Sequence, residues 1–332
     1  MDDTLPVVSL AALGTPAADA ALREASHRWG FFHLVDHGID PALSREVFAS
    51  AGRFFALPEA DKLAVEMLRS PHFRGYTRLG GELTQGAQDW REQIDVAAER
   101  AAVPDPAPDR PWDVLEGPNL WPAALPELRP LLTRWQQACT AVAGRLLHAW
   151  ARSLGAPDDV FDATFAERPM TLLKLVRYPG REAGAADQGV GAHKDPGVLT
   201  LLRLEEGSTG LQVQRSDGTW FDVPPVADSF VVNTGELLEA ATAGYLVATN
   251  HRVVSPPAGR ERISVPFFFN PRLDATVPHL TLPPALATGA RGLTVDPHNV
   301  ISDTFGDNML KARLRAHPDV AARHHPELVT RR

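Results

Sequence analysis

The chain is 332 residues long, 44% hydrophobic and 22% charged, with a formal net charge of −8. This ordinary globular composition has an acidic balance that argues against general nucleic-acid binding, which needs a basic face, while a local arginine cluster can still hold a small anion. A single cysteine, Cys139, excludes an intramolecular disulfide and suits a reducing compartment; no apolar run approaches the roughly 18–20 residues of a membrane span, and the start Met1-Asp2-Asp3-Thr4 lacks the basic and apolar regions of a secretion signal, so the expected setting is cytoplasmic, with no membrane, nucleic-acid or obligate protein partner.

Leu5-Pro6-Val7-Val8-Ser9-Leu10 reads as a short strand. Residues 17–28 have helical character, stopped by Gly30. Residues 31–35 are aromatic and β-branched and predict a strand. Pro41 opens a helix, with Leu43, Val47, Ala51, Phe54 and Phe55 on one face at helical spacing. Residues 69–98 read as a loop-rich segment containing Arg74, Tyr76, Trp90 and Asp95, of the kind that carries binding residues on a rigid scaffold. Residues 102–111 are rich in Pro and Asp and predict irregular chain. A long apolar stripe through Leu128, Leu131, Leu132, Trp135, Val142, Leu146 and Trp150 predicts one spine helix over 125–154, stopped by Gly155.

Strands then dominate, at about 171–178, 198–204, 211–214, 230–233, 247–253 and 263–269, with turn residues between them spaced as in a sandwich or barrel. Asp217-Gly218 marks a hairpin between Gln214 and Trp220. A last helix is expected from about 302 to 315. The whole is expected to be one domain over 1–332: a helical and mixed part over 1–165, a β-rich core over 166–285 and a tail over 286–332.

Two segments carry the chemistry. In Gly191-Ala192-His193-Lys194-Asp195-Pro196-Gly197, an imidazole and a carboxylate stand two positions apart, which on one extended segment puts both on the same face. His251, 56 residues after Asp195, offers a second imidazole. Two histidines and one carboxylate on one face of an octahedron, with three positions open, are the ligand set of non-heme Fe(II) oxygenases. Structural zinc sites are instead closed and cysteine-rich. Arg262 and Ser264 follow 11 and 13 residues after His251 and alternate onto one strand face, where both can reach one carboxylate. His33 and His37 are read as structural, because the triad is complete without them.

These motifs resemble, in order, those of the isopenicillin N synthase-like family of Fe(II)/2-oxoglutarate-dependent dioxygenases. The resemblance rests on Trp29-Gly30-Phe31-Phe32-His33-Leu34-Val35-Asp36-His37-Gly38-Ile39, on Phe54-Phe55-Ala56-Leu57-Pro58 with Lys62, and on Arg74-Gly75-Tyr76 and Trp90-Arg91-Glu92. Asn119-Leu120-Trp121-Pro122, Arg177-Tyr178-Pro179, the metal motif and Arg262-Ile263-Ser264 complete it. It implies a mainly β fold with flanking helices: a double-stranded β-helix, or jelly roll, with an N-terminal α/β portion and the long spine helix.

It further implies Fe(II) on His193, Asp195 and His251, and 2-oxoglutarate as co-substrate with its distal carboxylate on Arg262 and Ser264 and a further contact from Tyr178. Where plant members usually have Asn two positions earlier, this chain has Val176. O2 is the oxidant. The implied reaction is oxidation of a small-molecule metabolite, by default its hydroxylation, with desaturation or cyclisation open, and with release of succinate and CO2. Arg74, Tyr76, Asp95 and Phe268 are the candidate substrate contacts. Two rivals stand beside this reading. One is an oxidase of the isopenicillin N synthase type, which uses no 2-oxoglutarate; against it, no Gln occurs after Gln214 to serve as the extra iron ligand of that enzyme's resting state. The other is a non-catalytic protein that binds a small acid.

Overall fold

The computed structural model describes residues 4–182, 188–293 and 300–329; the acidic start at residues 1–3 lies outside them. Its strands are β1 Val7–Ser9, β2 Phe31–Val35, β3 Gly75–Thr77, β4 Leu83–Thr84, β5 Ala87–Gln88, β6 Glu92–Ala97, β7 Met170–Pro179, β8 Gln188–His193, β9 Leu199–Leu204, β10 Leu211–Gln214, β11 Trp220–Asp222, β12 Phe230–Thr234, β13 His251–Val254 and β14 Glu261–Asn270. The helices are α1 Pro16–Arg28, α2 Pro41–Phe55, α3 Glu59–Ala64, α4 Leu128–Ser153, α5 Asp162–Phe165, α6 Glu236–Ala241, α7 Pro284–Ala287, α8 Phe305–Ala316, α9 Pro318–His324 and α10 Pro326–Val329.

Two sheets make the core. The major sheet has eight strands in the order β1-β2-β12-β9-β14-β7-β6-β3, and the minor sheet four, in the order β11-β10-β13-β8. The expected jelly roll is present. Strands from the N-terminal part lie on both flanks of the major sheet, so the expected portions 1–165 and 166–285 share one hydrogen-bonded surface.

Helix chemistry places the outer layer. Thr15 caps α1 by accepting from the Ala18 N–H, and Asp40 caps α2 by accepting from the Ala42 N–H at 2.8 Å; each helix opens on Pro, which lacks the N–H that would go unpaired there. The stripe predicted on the spine helix is its buried face, and α4 packs against α1, α2 and the major sheet. Between these helices and the sheet lies the larger apolar core. A smaller core, including Phe31, Val176, Leu204, Val213, Val231 and Val253, fills the space between the sheets.

Three expectations change. The segment 69–98 is not loop-rich throughout, because β3 and β6 extend the major sheet there and β4 and β5 form a short hairpin. The strand expected at 247–253 begins only at His251. His193 and Asp195 do not share one strand: β8 ends at His193, and Asp195 stands two residues beyond it. The hairpin at Asp217-Gly218 forms as expected, with Gln214 opposite Trp220.

Candidate metal and acid-binding site

The site opens between the two sheets. Antiparallel pairing of β8 with β13 sets His193 directly opposite His251, and the ring centroids are 4.3 Å apart. Asp195 sits on the turn that leaves β8. That turn is packed so closely that a Cβ on Gly197 would meet the Asn270 side chain at 1.9 Å, and one on Gly235 would meet the Gly197 carbonyl oxygen at 2.2 Å. Only glycines let the two backbones approach this far, and the Glu236 N–H then donates to the Asp195 carbonyl at 2.8 Å.

Among the described residues, His193, Asp195 and His251 form the cluster able to hold a metal ion, their ligand atoms all within 4.8 Å of one another. Each ring is oriented from behind. His193 Nδ1 lies 2.8 Å from the Gly191 carbonyl oxygen and His251 Nδ1 3.2 Å from that of Thr249. Both Nδ1 atoms are thereby donors, which leaves each Nε2 lone pair to face inward. Asp195 Oδ1 is 3.5 Å from His193 Nε2 and 3.8 Å from His251 Nε2. The other carboxylate oxygen, Oδ2, accepts from the Thr200 hydroxyl and from Asn233 Nδ2, the latter at 2.8 Å.

Burial alone would raise the Asp195 carboxyl, but the bond from His193, the His251 and His193 charges and the bond from Thr200 hold it well below the usual carboxylate range. Burial, reinforced by the neighbouring His193, pushes His251 down to about 4. A carboxylate kept ionised beside a neutral imidazole is the donor set a divalent cation needs. Thr200 and Asn233 carried no sequence signal, being ordinary strand residues of β9 and β12, yet they fix the orientation of the carboxylate. Asn233→Leu should therefore weaken Fe(II) binding by about tenfold to a hundredfold, as read by titrating the anaerobic protein with Fe(II).

On the major sheet, Arg262 and Ser264 point into the same space. Arg262 stands opposite Tyr178, and Ser264 lies opposite Val176 on one side and Leu204 on the other. Arg262 is only 2% exposed, and its Nε and Nη1 have no hydrogen-bond partner among the described residues. Its guanidinium lies over the Tyr178 ring at 4.8 Å. Burial pushes its pKa down, opposed by Tyr178 and Glu205. A buried cation with open donors requires an acceptor, and a carboxylate matches its fork.

The other expected residues separate. Phe268 shares the inner strand face with Arg262 and Ser264, opposite Thr200 and Leu172. Phe267 and Phe269 face the helices, where Phe269 stacks on Phe165. Asp95 is also on the inner face, paired with Lys174, and accepts from Arg313 of α8 at 2.8 Å. Tyr76 is not brought to the site. It lies opposite Ile94 on the outer face, packs on Phe54, and donates to Glu92 at 2.6 Å. Arg74 is likewise elsewhere, buried, with its two Nη atoms donating to the carbonyl oxygens of Ala98 and Leu115 and to Asn119 Oδ1. One residue of register decides the side of a strand on which a side chain stands, and that register was not readable for β3.

Residues 5–124 match the family model described as the non-haem dioxygenase in morphine synthesis N-terminal region, and residues 169–271 match that of the 2OG-Fe(II) oxygenase superfamily. The 2-oxoglutarate-dependent dioxygenase frbJ of Dothideomycetidae sp. is 34% identical over 98% of this chain and 94% of its own length. A homoarginine-6-hydroxylase of Arabidopsis thaliana is 32% identical over 82% of this chain and 81% of its own. Among solved structures, JOX2 in complex with 2OG, Fe and JA is 26% identical, with a TM-score of 0.74 over 96% of this chain and 89% of that one.

Proposed function

This chain belongs to the 2OG-Fe(II) oxygenase superfamily, and from that premise we propose that His193, Asp195 and His251 hold its iron, that Arg262 and Ser264 take the distal carboxylate of 2-oxoglutarate, and that the product is a hydroxylated small molecule. The enzyme is an Fe(II)- and 2-oxoglutarate-dependent dioxygenase. The 2-oxoglutarate-free oxidase and the non-catalytic acid-binding protein give way to that reading.

The observation that carries the assignment of residues is Arg262: a fully buried guanidinium with open donors, facing the same chamber as the triad. Iron held by His193, Asp195 and His251, together with 2-oxoglutarate, would supply the oxidative chemistry that releases succinate and CO2. The protein orients and excludes water. Gly191 and Thr249 carbonyls hold the imidazoles, Thr200 and Asn233 hold the carboxylate, and Ser264 adds a donor beside Arg262. Tyr178 stacks under the guanidinium and fixes its plane. Phe268 and the inner face of β6 form the wall nearest the substrate. A metabolite-sized substrate fits this reading and the names of the relatives, and a cytoplasmic setting suits a chain whose one cysteine is buried.

The test is product formation. Purified Fe(II) protein supplied with 2-oxoglutarate and O2 is expected to form succinate, and anaerobic 2-oxoglutarate is expected to give a charge-transfer absorption with the bound iron. Absence of both, in protein that retains Fe(II), removes this assignment.

A further inference from the structure

Beside the triad, β6 and the residue that leads into it present two buried polar atoms with no hydrogen-bond partner among the described residues. Gln93 is fully buried, and its register partner Val176 belongs to the apolar filling between the sheets, so its side chain is on the chamber side in one row with Ser264. Its Nε2 donates to Asp95 Oδ1 at 2.6 Å, which settles the orientation of the amide. Its Oε1 is then left as an open, buried acceptor. Two residues earlier, Arg91 is tied to the metal site by a short relay. Its Nη2 is 3.0 Å from Asp89 Oδ2, Asp89 Oδ1 accepts from the Gly191 N–H at 3.0 Å, and the Gly191 carbonyl orients His193. The Arg91 Nε–H is buried and without an acceptor among the described residues. Neither atom is needed to hold iron or the distal carboxylate.

The charges around them are already matched. Glu82 lies 3.0 Å from both Lys174 and Arg91, and Asp95 pairs with Arg313 at 2.8 Å and with Lys174 at 3.6 Å. With Asp89 this makes three carboxylates and three cations. His317, 3.7 Å from Glu82, adds no charge at neutral pH, since burial pushes it down to about 4. Such a wall has no spare charge for an ion, whereas a buried donor and a buried acceptor left open each cost free energy until partnered.

Resting on the dioxygenase reading above, we propose that the primary substrate is held by a head group of no net charge that carries an acceptor and a donor side by side, an α-amino acid or a carboxamide, between the Arg91 Nε–H and Gln93 Oε1. The carboxylate or carbonyl oxygen accepts from Arg91. The ammonium or amide N–H donates to Gln93.

Four compounds with one six-carbon body test this: L-norleucine, hexanamide, hexanoate and hexylamine, titrated calorimetrically into anaerobic protein loaded with Fe(II) and 2-oxoglutarate. L-Norleucine, hexanamide or both should bind roughly tenfold or more tightly than hexanoate and hexylamine, and the ratio between these two separates the sources of the head group. Arg91→Lys, which keeps the charge facing Glu82 and Asp89 but lacks the Nε–H, should bring the preference close to one. Gln93→Met, of similar volume, should do the same, and melting temperatures show whether each variant is folded. Equal binding of hexanoate or hexylamine, no measurable binding by any of the four, or a preference that survives in a folded variant would overturn the proposal. Succinate formed without any of these compounds is scored in the same preparation once O2 is admitted, together with the charge-transfer absorption recorded before it. Absence of both signals in protein that retains Fe(II) removes the dioxygenase assignment itself, whereas the presence of either with a failed ranking removes only the head-group clamp.

Discussion

Alanine at His193 or His251 is expected to abolish turnover and to leave a folded protein that no longer retains Fe(II) after gel filtration. The loss should exceed the roughly tenfold to hundredfold that changes behind the ligands cost, because each imidazole offers its only inward lone pair. The fold should survive. His251 packs at the edge of Phe31, and His193 is about one-third exposed, its side chain at 31%. Neither anchors the apolar cores. Asp195→Ala should lose metal as well, and it also strands the donors of Thr200 and Asn233, so its melting temperature should fall further than that of either histidine variant. Normal Fe(II) retention and succinate formation in His251→Ala would refute the triad.

Arg262→Ala is expected to raise the apparent KM for 2-oxoglutarate by at least about tenfold, since one charge-assisted hydrogen bond contributes about 1.5–3 kcal/mol and 1.4 kcal/mol is a factor of ten. Arg262→Lys should recover part of this, because an ammonium cannot reproduce the planar fork or the stacking on Tyr178. Stability should move the other way. Without co-substrate, Arg262 is a buried cation with two open donors, and replacing an uncompensated buried charge by an apolar side chain is stabilising. Arg262→Met should therefore melt higher than the parent in the absence of 2-oxoglutarate and gain less when it is added. Unchanged 2-oxoglutarate kinetics in Arg262→Ala would detach this residue from the co-substrate.

What could be read from the chain follows from how local the signals are. The spine helix announces itself through an uninterrupted apolar stripe, and the Asp217-Gly218 turn through residue types that suit its backbone, with Gly218 at a φ of +86°. The triad is legible because a ligand set depends on residue identity and spacing. β8 is not legible. Its glycines exist because neighbours crowd it: a Cβ on Gly191 would meet the Thr84 side chain at 2.8 Å, and one on Gly189 would lie 3.0 Å from the Val253 carbonyl oxygen. Sequence propensity scores such residues against a strand, although the close packing is what demands them.

β6 hides for a different reason. Its chamber-facing positions are Gln93 and Asp95, and its apolar Ile94 and Val96 face the helices. Polar residues on an inner face look like a loop until the partners of Asp95, Lys174 of β7 and Arg313 of α8, are known. Tyr76 and Arg74 fail as substrate contacts because strand parity and buried backbone acceptors, which are tertiary facts, decide their surroundings.

The strand order also bears on synthesis. β2 joins the major sheet between β1 and β12, so its antiparallel partner is translated about two hundred residues later. A ribosome that has released the N-terminal third has exposed β2 and β6 with no neighbour yet made on their open edges. Unpaired edges of this kind recruit other chains, and pairings so distant in sequence form slowly. The helices α1, α2 and α4, all complete before β7 emerges, are the elements that can shield those edges meanwhile. Yield on heterologous expression should thus respond to translation speed and to chaperones that hold nascent chains more than to changes around the iron.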